Sequence, residues 1–314
     1  MAISKTARAA LRALSYPAAL DMDKSYKMER VIRQLRAPLA PLYRHWDHRL
    51  LRDGHEVRVR LYTPPGHPRP DLLLFFHGGG WVVESVDTYN HVCRDMAKRT
   101  GRYVASVEYS LAPEAPFPEG LEDCYAAALE LHRHPEMLGI AFQSITLIGD
   151  SAGGNLAAAV SLLARDRGEF SIEQQILIYP ATYHDHSPQS PFPSVRENGT
   201  GFLLTSQRVE DFMKLYSGSD PHKQKSPYFA PLLASDFTHQ PRSLVITAEY
   251  DPLRDEGEAY AAALAGAGCT VVARRMSDAL HGYFSLPLRF AKVRQTYVWI
   301  NDFLDGALRD ETQK

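Results

Sequence analysis

The sequence predicts an α/β protein with a mostly parallel central sheet, helices on both faces and a helical cap. Three observations predict it. Several short runs are almost continuously apolar, as strands buried on both faces of a parallel sheet must be. Segments with helical spacing alternate with these runs. A long polar stretch, residues 183–240, interrupts the alternation between two core strands, and an insertion of that size reads as a cap rather than a plain loop.

Helical spacing dominates residues 4–35. Alternation over Glu56 to Tyr62, with Val57, Val59 and Leu61 on one face, predicts a half-exposed strand. Pro64, Pro65, Pro68 and Pro70 mark a turn before the buried strand Leu72 to Phe76. Residues 88–100 read as a helix, Tyr103 to Glu108 as a strand and Leu121 to His132 as a helix. The strand Ile145 to Ile148 leads to the helix Asn155 to Arg165, and the strand Gln175 to Tyr179 ends at Pro180. Within the insertion, Ser206 to Tyr216 is helical. The core then resumes with strand Leu244 to Ala248, helix Glu256 to Ala265, strand Thr270 to Arg274 and a closing helix Arg289 to Leu304. The resulting organisation is an N-terminal helical segment, 1–50, contributing to the cap, a catalytic core of 51–182 and 241–314, and the cap insertion 183–240.

Composition narrows the function classes. The chain has 314 residues, 45% hydrophobic, with a formal net charge of −2, so no bulk attraction to nucleic acid or a membrane surface is expected. No run approaches the roughly 18 apolar residues of a membrane span, and no stable membrane association is expected. Cys93, Cys124 and Cys269 are far apart and form no C-x-x-C pair, which suits reduced thiols in a cytoplasmic protein. The start, M-A-I-S-K-T-A-R-A-A-L-R-A-L, is basic and amphipathic like a transit peptide. The helical pattern runs on through Met28 to Leu35, however, which favours a surface helix of the fold.

The chemistry-bearing stretch is Gly149-Asp-Ser-Ala-Gly153, a G-x-S-x-G pentapeptide between an apolar strand and an alanine-rich helix. Glycines flanking Ser151 permit a tight turn that lifts its Oγ clear of the sheet. A serine hydroxyl needs a base, and the base needs an orienting acid. Asp251 follows the strand Leu244 to Ala248, and His281 follows the last core strand, in the order serine, acid, histidine. Asp255, Glu249 and Asp278 are the rival carboxylates. Asp255 suits a helix start and Glu249 a supporting position, and Asp278 lies close to His281 in the chain.

Phe76-His-Gly-Gly-Gly-Trp81 follows a buried strand. Glycines let backbone amides approach a developing oxyanion, each donor worth about 3 kcal/mol. The amide of Ala152, next to the nucleophile, would add another. His77 then anchors the loop and is not a base. Trp81 lines the pocket or fills core.

Together these stretches resemble the bacterial hormone-sensitive-lipase-like esterases of the α/β-hydrolase fold. H-G-G-G-W at 77–81, Y-S-L-A-P-E-A-P-F-P at 109–118, G-D-S-A-G-G-N at 149–155 and D-P-L-R-D-E-G at 251–257 match in order and spacing, with the His281 stretch as a fifth match. The cap stretch S-P-Y-F-A-P-L at 226–232 resembles the acetyl-esterase branch. The resemblance implies Ser151, Asp251 and His281 as a catalytic triad, with Gly79, Gly80 and Ala152 as the oxyanion hole. The register within Gly78-Gly79-Gly80 stays open. It implies no metal and no organic cofactor, and a small-molecule ester as substrate. Asp150 and Glu114 occupy recurring family positions and read as structural supports. One departure is Met276-Ser-Asp-Ala-Leu280, where the family often carries a glycine before the catalytic histidine.

The expected function is hydrolysis of short-chain carboxylic esters through an acyl-enzyme. The alternatives are a non-catalytic small-ligand receptor on the same fold, or an amide or carbamate hydrolase. Trp81, Asp150 and Tyr183 are the candidate pocket residues. In the cap, Tyr183, Phe192, Phe202, Leu203, Phe212 and Tyr216 either line the pocket or form cap core. A homodimer is compatible with the sequence.

Overall fold

The structure, a computed structural model, describes residues 22–36 and 45–308. Eight strands among these residues form one sheet in the order β1-β2-β4-β3-β5-β6-β7-β8. They are β1 (His45–Arg52), β2 (His55–Tyr62), β3 (Arg69–Phe76), β4 (Arg102–Glu108), β5 (Ser144–Asp150), β6 (Gln174–Ile178), β7 (Arg242–Tyr250) and β8 (Val271–Leu280). Only the β1–β2 and β2–β4 pairs are antiparallel; every pair from β4 to β8 is parallel.

The apolar run of β3 explains the layering. Leu72, Leu74 and Phe76 join one hydrophobic cluster, and Leu73 and Phe75 join the other, on the opposite face. The first cluster takes the buried faces of α3 (Glu119–Arg133), α4 (Ala152–Arg167) and α8 (Arg254–Gly266). The second takes α2 (Asn90–Thr100) and α9 (Ala291–Leu304). A central strand covered twice has no polar face, which is why the run reads apolar throughout.

Residues 183–240 carry α5 (Pro193–Glu197), α6 (Ser206–Ser217) and α7 (Pro221–Gln224). Val209, Phe212, Met213 and Tyr216 of α6 pack into the first cluster with Trp81, so the insertion shares the main core. The N-terminal helix α1 (Met22–Arg36) lies against α6, where Glu29 pairs with Arg208.

Two sequence expectations change. The N-terminal segment was expected to be helical and cap-forming as far as residue 50, yet His45–Arg52 is a strand of the main sheet, in register with β2 from His45↔Tyr62 to Arg52↔His55. It is an edge strand with only Leu50 buried, and its partly exposed Asp47 pairs with the buried Arg60 of β2 at 2.6 Å. The final strand also runs past Arg274 to Leu280, its pairing with β7 shifting between Ala248 and Tyr250. The expected helical start at residues 4–21 lies outside the described residues.

Candidate active site

Ser151 sits between β5 and α4 at φ 56°, ψ −120°. Such a conformation costs a non-glycine residue on the order of 1–3 kcal/mol and persists only where its surroundings over-determine it. Here two close approaches do so. A Cβ on Gly149 would lie 2.2 Å from the Gly153 carbonyl oxygen, and one on Gly153 would lie 1.9 Å from the Phe76 carbonyl oxygen. The Ser151 amide is held by the Ile178 carbonyl at 2.9 Å.

His281 follows β8 and is succeeded by Gly282 at φ 79°. Its Nε2 lies 2.8 Å from Ser151 Oγ, and its Nδ1 lies 2.7 Å from Asp251 Oδ2. A carboxylate only accepts, so Nδ1 carries the hydrogen and Nε2 is left to accept from the serine. Asp251 is fully buried, and its Oδ1 accepts from the Leu253 amide at 2.9 Å. Two of the rival carboxylates are occupied elsewhere. Asp255 accepts from Arg254 and from the Ser194 amide, and Glu249 accepts from the Asp278 amide at 2.6 Å. That last bond steadies Asp278 at φ 53°, within the stretch leading to His281.

The glycine loop divides its labour. The Gly78 amide donates to Asp150 Oδ1 at 2.9 Å. Among the described residues the Gly79 and Gly80 amides have no acceptor, and neither has Ala152, at the first turn of α4, where helical amides lack an internal partner. All three line the same cavity as Ser151. Gly79 and Gly80 stand at φ 115° and 60°, which suits glycine. His77 is wholly buried, and burial pushes its imidazole below the ordinary histidine value. Its Nδ1 donates to the Gly78 carbonyl at 2.8 Å, its own carbonyl accepts from the Tyr109 hydroxyl at 2.8 Å, and its ring stacks on Tyr109 at 4.4 Å.

The cavity measures about 280 Å³. Trp81 and Asp150 line it, as do Leu203 and Phe212 of the cap; Tyr183 does not. The Tyr183 ring stacks on His184 and meets the edge of Phe192, and its amide points to Glu256. Phe202 stacks on Tyr250, and Tyr216 lies parallel to Trp81 at 4.5 Å. Burial pushes the Asp150 carboxyl up to about 6, opposed by bonds from Tyr89, Gly78 and Tyr179.

Several lining residues escaped the sequence reading. Glu29 and Arg33 of α1, Glu84 and Arg208 form a chain of ion pairs at the cavity wall: Arg33 with Glu29 at 2.7 Å, Arg33 with Glu84, and Glu29 with Arg208. Arg208 and Phe212, one helical turn apart, could have been grouped from their spacing. Tyr89 gave no signal.

Among the described residues no helix is long and apolar enough to cross a membrane. A family model described as alpha/beta hydrolase fold matches residues 73–285. The carboxylic ester hydrolase LipN of Mycobacterium tuberculosis is 38% identical over 236 residues, which are 74% of this chain and 62% of that protein. An ethyl acetate hydrolase of Pseudomonas putida is 38% identical over 240 residues, 75% of this chain and 74% of that one. The structure of a hyperthermophilic esterase from the archaeon Pyrobaculum calidifontis superposes with a TM-score of 0.86 at 37% identity, covering 98% of this chain and 99% of that one.

Proposed function

The chain belongs to the α/β-hydrolase fold family, in its hormone-sensitive-lipase-like branch, and on that premise we propose that it hydrolyses short-chain carboxylic esters through an acyl-enzyme on Ser151. The observation that carries the reading is the continuous array Ser151 Oγ, His281 and Asp251, with three residues lining the same cavity whose amides are unpartnered among the described residues.

The chemistry follows from the geometry. Ser151 Oγ attacks the acyl carbon as His281 Nε2 takes its proton. Negative charge builds on the carbonyl oxygen, where the amides of Gly79, Gly80 and Ala152 receive it. Asp251 keeps Nδ1 protonated and stabilises the imidazolium. His281 then gives its proton to the departing alcohol. A water activated by the same nitrogen attacks the acyl-enzyme, releasing the acid and restoring Ser151.

A cavity of about 280 Å³, walled by Phe212, Val209 and Leu253 and by the ion-paired Arg33 and Glu84, supports short acyl groups over long ones. The reading needs no metal or organic cofactor. It has the enzyme working in the cytoplasm, with Cys93 and Cys124 as buried thiols, and it is compatible with a homodimer.

Ser151→Ala is expected to abolish hydrolysis of nitrophenyl acetate and butyrate without unfolding the protein. Near-wild-type turnover by that variant would sink the reading. An activity profile from acetate to palmitate esters tests the chain-length part, and a preference for palmitate would overturn it.

A further inference from the structure

The Asp150 side chain bridges the two halves of the site. It is 1% exposed, and no lysine or arginine forms an ion pair with it among the described residues. Three neutral donors hold it instead. Oδ1 accepts from the Gly78 amide at 2.9 Å, and Oδ2 accepts from the hydroxyls of Tyr89 at 3.0 Å and Tyr179 at 3.3 Å. A buried carboxylate without a cation is costly, and a fold that needed only filling here would be served by an apolar side chain.

The position explains what the carboxylate reaches. Asp150 immediately precedes Ser151, so its backbone is part of the nucleophile turn. Gly78 immediately precedes the two glycines whose amides are unpartnered among the described residues. A Cβ on Gly78 would lie 2.8 Å from Asp150 Oδ2 and 2.9 Å from the Tyr89 hydroxyl. The first glycine of the three is therefore where the carboxylate comes in, and the donors start one residue later. The third donor extends the frame, because the Tyr179 ring packs against the His281 imidazole with centroids 4.7 Å apart.

We propose that Asp150 is a positioning residue that fixes the aim of the Gly79 and Gly80 amides relative to Ser151 and, through Tyr179, seats His281. The proposal rests on the reading of Ser151 as nucleophile. A misplacement of about 1 Å in such a site costs up to about a hundredfold in rate. Asn at 150 keeps one acceptor oxygen but brings two N–H groups toward the two phenols, while Ala removes every bond.

The test measures kcat and KM on nitrophenyl acetate per active site, titrated with a fluorophosphonate, together with inhibition by an arylboronic acid that forms a tetrahedral adduct on serine. Asp150→Asn is expected to lose roughly 10-fold and Asp150→Ala roughly 100-fold in kcat, with KM within about 3-fold. Boronate inhibition should weaken by the same factors as kcat, because the adduct needs the oxyanion donors and ground-state binding does not. A support for folding alone would lower the melting temperature and the titrated fraction, leaving kcat per labelled site and boronate affinity unchanged; that result overturns the proposal. If the Ala variant does not fold, Tyr89→Phe stands in, with several-fold losses expected in both readouts and unchanged values counting against it. Ser151→Ala in the same assay separates the two ideas, since retained turnover there refutes the nucleophile itself.

Discussion

The Phe212 ring lies directly against Gly80: a Cβ at position 80 would sit 2.4 Å from its Cγ. The cap helix α6 thus touches the loop proposed to hold the oxyanion. Gly80 is confined twice, by this contact and by its φ of 60°. Gly80→Ala is expected to lose at least about 100-fold in kcat/KM. The left-handed backbone alone would cost only about 1–2 kcal/mol. Phe212→Ala should accept longer acyl chains than the wild type, and Gly80→Ala with Phe212→Ala should recover much of the single-variant loss. No recovery in the double variant would show that the ring contact is not the constraint.

Asp251 holds the Nδ1 hydrogen of His281 in a bond of 2.7 Å and is itself fully buried. Asn at this position can donate instead of accept, which favours the tautomer with hydrogen on Nε2 and leaves Ser151 without a base. Asp251→Asn is expected to lower kcat by roughly 10³–10⁴-fold with little change in KM. Steady-state kinetics on nitrophenyl acetate checks it. A loss under about 10-fold would reopen the choice among Asp251, Asp255 and Asp278 as the orienting acid.

What was legible in the sequence is what local rules control. Leu72 to Phe76 had to be a doubly covered strand, and Gly149 and Gly153 had to flank a tight turn, because each requirement is met within a few residues. Pairing across the chain was not legible. His45–Arg52 buries only Leu50, and its strand character comes from bonding to β2 rather than from a pattern of its own. Glu256 looks like an ordinary acid in the first turn of a helix. It is in fact fully buried, accepting the amides of Thr182 and Tyr183 across a separation of more than seventy residues. Those bonds tie the backbone at Thr182 and Tyr183 to Glu256, and no spacing could have announced them.

Arg30 on α1 joins three parts of the molecule. Its Nε donates to the Val82 carbonyl at 2.7 Å, its Nη2 to the Ala112 carbonyl at 2.8 Å, and the guanidinium pairs with Glu114 at 3.0 Å. Val82 lies just beyond the glycine loop, so Arg30 straps that loop to the N-terminal helix. The pair with half-exposed Glu114 is solvent-screened and adds little; the two carbonyl bonds carry the effect. Arg30→Ala is expected to lower Tm by roughly 2–5 °C and kcat several-fold. Arg30→Lys should restore little, since an ammonium cannot span the fork. An Ala variant melting within about 1 °C of wild type would dismiss the strap.

His186 couples the cap to the core through a buried pair. Its Nε2 lies 2.7 Å from Glu256 Oε2, with both side chains fully enclosed. Burial alone would push the imidazole down, but the charge of Glu256, with smaller contributions from Glu210 and Asp185, outweighs it and raises the value above 6.5. The sign follows. A histidine whose folded value exceeds its unfolded one contributes stability fully present below about pH 6.5 and lost as pH rises through the folded value. His186→Gln keeps a donor for Glu256 but cannot titrate. The wild type should therefore melt above the Gln variant at about pH 6, and the gap should close as pH rises through the folded value. Because Glu256 also holds Thr182 and Tyr183, beside the cavity-lining Ala181, the same change should loosen the cavity wall on the alkaline side. Melting curves of both proteins across that range decide the matter: a gap that stays constant with pH would mean that the imidazole is not charged in the folded protein.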